Sequence, residues 1–455
     1  MIRTVLAVSV VALGAAACAT AWQPSYNAVA PVQAQDSYYV KGHNAVAARA
    51  SERGAGHAKN VILFVGDGMG ISTITAARIY AGQTKGLDGE SYQLAMEKLP
   101  YSAFSKTYTH DSQVADSAPT AVAMTTGVKS YNGTLGVTQA ANIKDCASAK
   151  TSGTTSLWEI AEDAGKATGI ISTARITHAT PAATYAETVE RDWESDKDVS
   201  AAGKAAGCTD IASQLVAWQS AHGNGFDVIL GGGRTNFLPN TVADPEYANQ
   251  KGNRVDGRNL VDEWKAGAPN RTAVIDRAGF NAFNWNSDGQ IFGLFEPSHM
   301  QYELDRAKDG KGEPSIAEMT KSAITRLSRN ANGYVLMVEG GRVDHGLHAG
   351  DAQRALGDAA ALDEAIAAAV AATDPKDTLI IVTADHSHTL ILQGYPQRGN
   401  PILGLVKEND KLVKALDGKP YTTLSFANGP GSVCKPQADG KWLCERPDLT
   451  NVDTT

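Results

Sequence analysis

Four apolar runs in this 455-residue chain each end in residues able to hold a cation. Asp67 follows VILFV, and His178 and Thr180 follow GIIST. Glu339, Asp344 and His348 follow YVLMV, and Asp385, His386 and His388 follow LIIVT. A lone aspartate after a strand is commonly a cap or turn residue. Asp344 and His348 stand four apart in DHGLH, so they share one face if that segment is helical. A solvated face explains that spacing equally well. Four strand ends bringing carboxylates and imidazoles together are costly, however, unless cations occupy the centre. Histidine nitrogen with aspartate oxygen suits Zn2+, and the oxygen-rich remainder suits Mg2+. The pattern predicts a multinuclear metal site. Beside it stands a second puzzle, Asp116 directly before Ser117 in VADSAPTA. An adjacent carboxylate raises the pKa of a hydroxyl. Ser117 is therefore either a helix-capping residue or lies against something strongly positive.

Such residues meet only if their strands end together. The runs VILFVGDGMG, ATGIISTARITHATPAA, FDVILGGG, YVLMVEGG and TLIIVTADHSH alternate with helical stretches such as TSLWEIAEDAGKA and DAQRALGDAAALDEAIAAAVAAT. That alternation predicts an α/β fold, a three-layer α/β/α sandwich around a large, mostly parallel central sheet. Ligands in such sheets bind beyond the carboxyl ends of the strands, where these acids and histidines fall. The length allows one large domain or two ordinary ones. Residues 240–315 are more polar and irregular and read as an insertion on the surface of the sheet. Residues 22–57 are rich in Ala, Gln and Tyr without clear periodicity, and read as a linker or arm.

A hydrophobic content of 43% with 20% charged residues is ordinary for a globular chain. The net charge of −8 and the lack of clustered Lys and Arg argue against nucleic acid as a partner. MIRTVLAVSVVALGAAACATA has a basic residue, an apolar run and then small residues, which predicts a secretory signal peptide over residues 1–21. Lipoprotein anchoring at Cys18 is the alternative, weakened by Ala15 where leucine is usual. Export leaves Cys146, Cys208, Cys434 and Cys444, an even number for an oxidising periplasmic or extracellular compartment. Three pairings are open by spacing. The close Cys434/Cys444 pair suggests a small loop staple, which leaves Cys146 with Cys208.

FVGDGMG, DSAPTAVAMTTG, THATPAA, VEGGRVDHGLH and TADHSH together resemble the metal-binding segments of alkaline phosphatases, in unbroken order over roughly residues 58–433. The details are nearer the animal-type enzymes than the enterobacterial one, since His178 stands where the latter has aspartate. The resemblance implies a catalytic domain over 58–455, a homodimer, and a Cys146–Cys208 disulfide. It implies two zinc ions and one magnesium. Asp67 would bridge one zinc and the magnesium, and Asp385 and His386 would complete that zinc site with Ser117 as its exchangeable ligand. Asp344 and His348 would hold the second zinc. Thr180 and Glu339 would bind magnesium, with His178 touching it directly or through water. Arg191 in TVERDW would clamp phosphate, oriented by Asp116. Zinc on its oxygen would let Ser117 ionise despite Asp116. The implied reaction is hydrolysis of phosphate monoesters through a phosphoserine.

Glu246, Phe295 through its carbonyl, Glu296 and Glu313 resemble the calcium site of animal-type members, with Glu313 in place of aspartate. Acidic loop residues on a surface account for them equally well. Related enzymes give the second zinc a further histidine from near the C-terminus. No histidine follows His388 here, and neither His388 nor His345 occupies that place. The expectation is a C-terminally truncated chain that binds the second zinc poorly. Two other functions compete: a phosphodiesterase or sulfatase of the same superfamily, and a non-catalytic metal- or phosphate-binding protein.

Overall fold

The computed structural model describes residues 31–50, 57–427, 433–436 and 442–445. Its centre is a seven-stranded sheet. The strands are β1 (Asn60–Gly66), β2 (Ala167–Arg175), β3 (Val228–Gly232), β4 (Arg271–Val274), β5 (Gln290–Leu294), β6 (Tyr334–Gly340) and β7 (Thr378–Ala384). Their order is β4-β5-β3-β2-β6-β1-β7, and every pairing is parallel.

The apolar runs are continuous because both faces of the sheet are covered. Successive side chains of a strand point to opposite faces, and the two cores divide accordingly. Ile62, Phe64, Ile171, Leu336 and Val338 pack with Met319, Leu362 and Ile366 from the helices Ile316–Leu327 and Ala352–Ala372. Leu63, Val65, Ile170, Val335 and Met337 pack with Val122, Trp158 and Leu215 from Ser117–Thr126, Leu157–Asp163 and Ile211–Ala221. Each such side chain, fully removed from water, contributes about 1.5–3 kcal/mol. The result is the expected three-layer sandwich.

One expectation needs correction. The segment 240–315 is not only a surface insertion, because β4 and β5 lie within it and extend the central sheet. Ile291 of β5 pairs with Val228 of β3 and with Thr272 of β4. RTAV holds only two apolar residues and QIFGL follows a polar stretch, so neither stands out from the irregular segment around it. Residues 22–57 are expected as a linker or arm. Their described part holds a 14-residue helix, Ser37–Ala50, after a short 3-10 turn. The buried Gln33 side chain fastens that arm. It donates to the carbonyls of Thr126 (3.0 Å) and Thr155 (2.8 Å) and accepts from Thr155 N–H at 2.9 Å.

Cys146 and Cys208 are joined across 62 positions, with Cα atoms 5.7 Å apart. Cys434 and Cys444 are register partners in a two-stranded antiparallel hairpin, while their side chains are outside the described residues. The signal peptide expected over residues 1–21 also lies outside them.

One buried acid makes the fold sensitive to pH. Glu162 is 2% exposed; Thr168 donates to one of its oxygens at 2.5 Å and the other has no partner. Burial first, then the Asp227 carboxylate, push it up to about 8. The native state therefore keeps a proton that the unfolded chain releases in the ordinary carboxyl range. Its contribution to stability is complete at about pH 4 and is lost as pH rises through about 8. Glu162→Gln is expected to be near neutral at pH 5 and to gain about 1–3 kcal/mol on the parent at pH 9. Urea midpoints at the two pH values, at fixed metal content, check this. Parallel pH profiles for the two proteins would contradict it.

Candidate metal centre

All seven strands end on one side, and the four that carry the predicted residues are consecutive neighbours, β2-β6-β1-β7. Val65 of β1 pairs with Glu339 of β6 and Thr383 of β7, and Glu339 pairs with Ser172 of β2. Asp67 follows β1 at a turn where Gly68 takes a φ of +64°. A Cβ on Gly68 would lie 2.9 Å from Asp344 Oδ1, so glycine serves both the left-handed turn and the close approach of that carboxylate. His178 caps the one-turn helix Ala179–Ala182 that carries Thr180. Asp344 and His348 lie on the helix Arg342–Ala349, where the spacing does bring them together, His348 Nε2 to Asp344 Oδ2 at 3.4 Å. Asp385 and His386 directly follow β7.

The side chains converge in three overlapping groups: Asp67, Asp344 and His386; Asp67, His178 and Glu339; and Asp344, His348 and His388. Within each group one candidate ligand atom per residue lies within 4.8 Å of the others. Asp67, Thr180 and Glu339 are 0% exposed. Asp67 Oδ2, Asp344 Oδ1, Asp385 Oδ2, Glu339 Oε1 and Thr180 Oγ are all buried without a hydrogen-bond partner. Buried polar atoms are almost always satisfied, so five orphans in one place call for a cation. The acid–base chemistry agrees. Burial, and then the charges of Asp385, Asp344 and Glu339, hold Asp67 well above the carboxylate range. Burial raises Glu339 to about 7 and also raises Asp344.

Around this cluster the remaining atoms are fixed by named bonds. Asp385 Oδ1 accepts the N–H groups of Gly68 (2.9 Å) and His386 (2.8 Å). Ser172 Oγ donates to Glu339 Oε2, leaving Oε1 for the centre. His386 Nδ1 donates to Ser387 O at 2.9 Å, so its Nε2 lone pair faces Asp67, Asp385 and Ser117. The tautomer is the one a metal needs.

His388 behaves otherwise. Its Nδ1 accepts the Thr389 N–H at 2.9 Å, which leaves the ring hydrogen on Nε2, 3.5 Å from Asp344 Oδ1. His388 thus turns an N–H rather than a lone pair toward Asp344, at a distance that makes no hydrogen bond and leaves Asp344 Oδ1 unpartnered. His178 is also set by its neighbours. Arg191 Nη2 donates to its Nε2 at 3.0 Å, and Nδ1 is buried without a partner. Burial, then Arg191 and Arg175, keep this ring neutral. A hydrogen on Nδ1 suits contact with a metal through water better than direct ligation.

Ser117 heads the helix Ser117–Thr126 and is 5% exposed. Its Oγ lies 3.1 Å from His386 Nε2 and 3.3 Å from Asp67 Oδ1, at the edge of the cluster. The neighbouring Asp116 caps the helix by accepting from Ala118 N–H at 3.2 Å, and the same carboxylate holds Arg191 Nη1. The capping reading of Ser117 does not hold, because Asp116 is the cap; Ser117 instead lies against the buried acid and histidine cluster.

Part of the second acidic group assembles, with one addition and without Glu313 in the same set of ligand atoms. Glu246 and Glu296 come together with Asp309, which the sequence reading missed because Lys308-Asp309-Gly310 reads as a surface turn. Glu313 is 1% exposed, and its Oε1 accepts Gln301 N–H at 3.0 Å while Oε2 has no partner. Burial, then Glu296 and Asp309, push it up to about 9, and burial raises Glu296 to about 7. Arg234 donates to Glu246 at 3.1 Å, which offsets part of that charge. Phe295 is buried in the core beside Glu296.

Comparison with known proteins bears on these groups. A family model described as "Alkaline phosphatase" matches residues 58–442. The tissue-nonspecific alkaline phosphatase isozyme of Gallus gallus is 45% identical over 380 residues, covering 82% of this chain and 71% of the relative. The alkaline phosphatase of Gadus morhua is 45% identical over 379 residues, covering 82% and 77%. Among solved structures, the Thermus thermophilus alkaline phosphatase superposes with a TM-score of 0.60 at 29% identity, covering 76% of this chain and 63% of that one. A cold-active alkaline phosphatase from a psychrophilic Shewanella sp. gives 0.56 at 26% identity, covering 74% and 70%.

Proposed function

This chain belongs to the alkaline phosphatase family, metal-dependent hydrolases of phosphate monoesters, and on that premise we propose that it works through Ser117 as nucleophile. The observation that carries the proposal is the Ser117 hydroxyl lying against Asp67 and His386, two members of the cluster that holds the unpartnered buried oxygen atoms. Asp67, Asp385 and His386 would hold one zinc, and Asp344 and His348 the second. Asp67, Thr180 and Glu339 would hold magnesium, with His178 acting through water. Nitrogen and carboxylate donors suit zinc, and the all-oxygen set suits magnesium. When bound, these cations would supply Lewis-acid stabilisation of the attacking and departing oxygens and make the serine hydroxyl acidic.

The chain's own groups supply the rest. Arg191 grips two phosphate oxygens with its planar fork, and Asp116 keeps that fork turned toward them. The N–H groups at the start of the Ser117 helix face the same anion. Ser117 Oγ attacks phosphorus in line; the O–P bond forms, the ester P–O bond breaks, and the alcohol leaves with a proton. Water then attacks the phosphoserine from the vacated side, releasing inorganic phosphate and returning the proton to Ser117.

Glu246, Glu296, Glu313 and the Phe295 carbonyl, joined by Asp309, form the proposed calcium site. Export to an oxidising compartment is proposed on the N-terminal pattern and supported by the Cys146–Cys208 disulfide. A homodimer is proposed from the resemblance.

Chelation followed by metal re-addition tests the reading. Monoester hydrolysis should fall by about 10³-fold or more, which is ~4 kcal/mol of barrier. Zinc and magnesium together should restore it, and a monoester should remain the preferred substrate over a diester. Turnover that persists in metal-free protein, or a faster diester reaction, would contradict it.

A further inference from the structure

We infer that His299 is a positioning residue for the magnesium group, holding the ring of His178 in place by packing against it while anchored to Arg175. The inference rests on the proposed magnesium role of Asp67, Thr180, Glu339 and His178, and adds a residue that the motifs do not reach. His299 lies in the loop after β5, and its backbone is tied on both sides. Ser298 O accepts Gly233 N–H at 2.6 Å, and Met300 N–H donates to Thr173 O at 3.0 Å. Gly232 permits this approach, since a Cβ there would lie 2.1 Å from Ser298 O. The loop is therefore pinned to the carboxyl ends of β2 and β3, beside the metal centre.

The ring that this backbone presents turns both nitrogens toward one residue, Arg175. Arg175 N–H lies 3.3 Å from Nδ1 and Arg175 Nη1 lies beside Nε2, and the neutral ring accepts from one of these two donors. Arg175 is itself held by Glu194, with Nε donating to Oε2 at 2.7 Å. Glu194 also accepts from Thr177 Oγ (2.6 Å) and Asn236 Nδ2 (3.1 Å). The chain of contacts is thus braced from the sheet outward.

The free faces of the ring meet two other imidazoles. His299 and His345 have centroids 4.1 Å apart at 61°, His299 and His178 5.5 Å at 79°, and His178 and His345 5.6 Å at 77°. Three edge-to-face rings fix one another's orientation, an arrangement favoured by the ring quadrupole. His178 has no hydrogen-bond partner at Nδ1, so beyond the Arg191 contact at Nε2 its orientation depends on this packing. Removing His299 frees the His178 ring to turn, and the group that should face magnesium through water loses its aim.

The test is magnesium binding to zinc-loaded protein, measured by calorimetry without substrate. His299→Ala is expected to weaken magnesium by about tenfold or more, the range seen when groups that orient ligands are lost. Zinc content should be unchanged, and activity should recover as magnesium is raised. His299→Phe keeps a ring but loses the Arg175 anchor, and should also weaken magnesium; it decides the matter if the alanine variant fails to fold. Magnesium affinity within twofold of the parent in a folded variant, or equal loss of zinc and magnesium, would overturn the inference. Failure of the parent to bind magnesium would overturn both this and the proposed function, whereas parental binding with unaffected variants overturns this inference alone.

Discussion

Ser117→Ala should lower phosphate monoester hydrolysis by at least about 10³-fold, ~4 kcal/mol of barrier, while leaving zinc and magnesium bound. The position of the hydroxyl carries this expectation: Ser117 Oγ sits between His386 Nε2 and Asp67 Oδ1, at the head of a helix whose cap, Asp116, holds Arg191. Alanine keeps the helix start, because the capping carboxylate belongs to Asp116 rather than to Ser117. The metal residues also keep their places, since their supports come from Ser172, Gly68 and Ser387. The variant should therefore fold, bind phosphate through Arg191 and fail at bond formation. Steady-state kinetics with metal analysis checks it. Activity within about tenfold of the parent, only ~1.4 kcal/mol, would exclude a serine nucleophile and leave direct attack by water.

The second large effect is expected at Asp67, which belongs to two of the three ligand groups. Asp67→Asn removes a negative charge shared between the proposed zinc and magnesium positions and brings an N–H into a space built for cations. Bound zinc should drop, magnesium should no longer bind, and turnover should fall by about 10³-fold or more, as expected when the Lewis acid itself is lost. The metal-free protein should respond in the opposite direction. There, buried Asp67 lies among Asp385, Asp344 and Glu339, whose charges disfavour its own. Removing one charge from that set should stabilise the metal-free form at pH 8 by on the order of 1 kcal/mol, the size of a single pKa unit. Thermal unfolding with and without metal reads both signs at once. A variant that keeps full metal content, or is destabilised equally in both states, would contradict the role given to Asp67.

The legible part of the site was the part written in strand ends. Asp67, Glu339 and Asp385 each stand at or directly after an apolar run, and parallel strands necessarily deliver such residues to one edge. Asp344 and His348 were legible through helical spacing. Strands β4 and β5 were not, because Arg271–Val274 and Gln290–Leu294 sit within a polar, irregular stretch and derive their strand character from pairing with β3 and with each other. Asp309 and His299 lie in loops, where no periodicity links them to Glu296 or His178; only the folded chain brings them together. The tautomers were also beyond the sequence. His386 and His388 are two apart, yet a carbonyl on one Nδ1 and an N–H on the other give them opposite faces toward the metal centre.

A nucleophilic Ser117 requires that phosphate pass through its hydroxyl. The direct measurement is to acid-quench the metal-loaded protein during turnover of an isotopically labelled phosphate monoester, digest it, and locate the label by peptide mass mapping. The prediction is label on Ser117 alone, absent from chelated protein and from Ser117→Ala. Sustained turnover with no labelled protein, or label on any other residue, would contradict it.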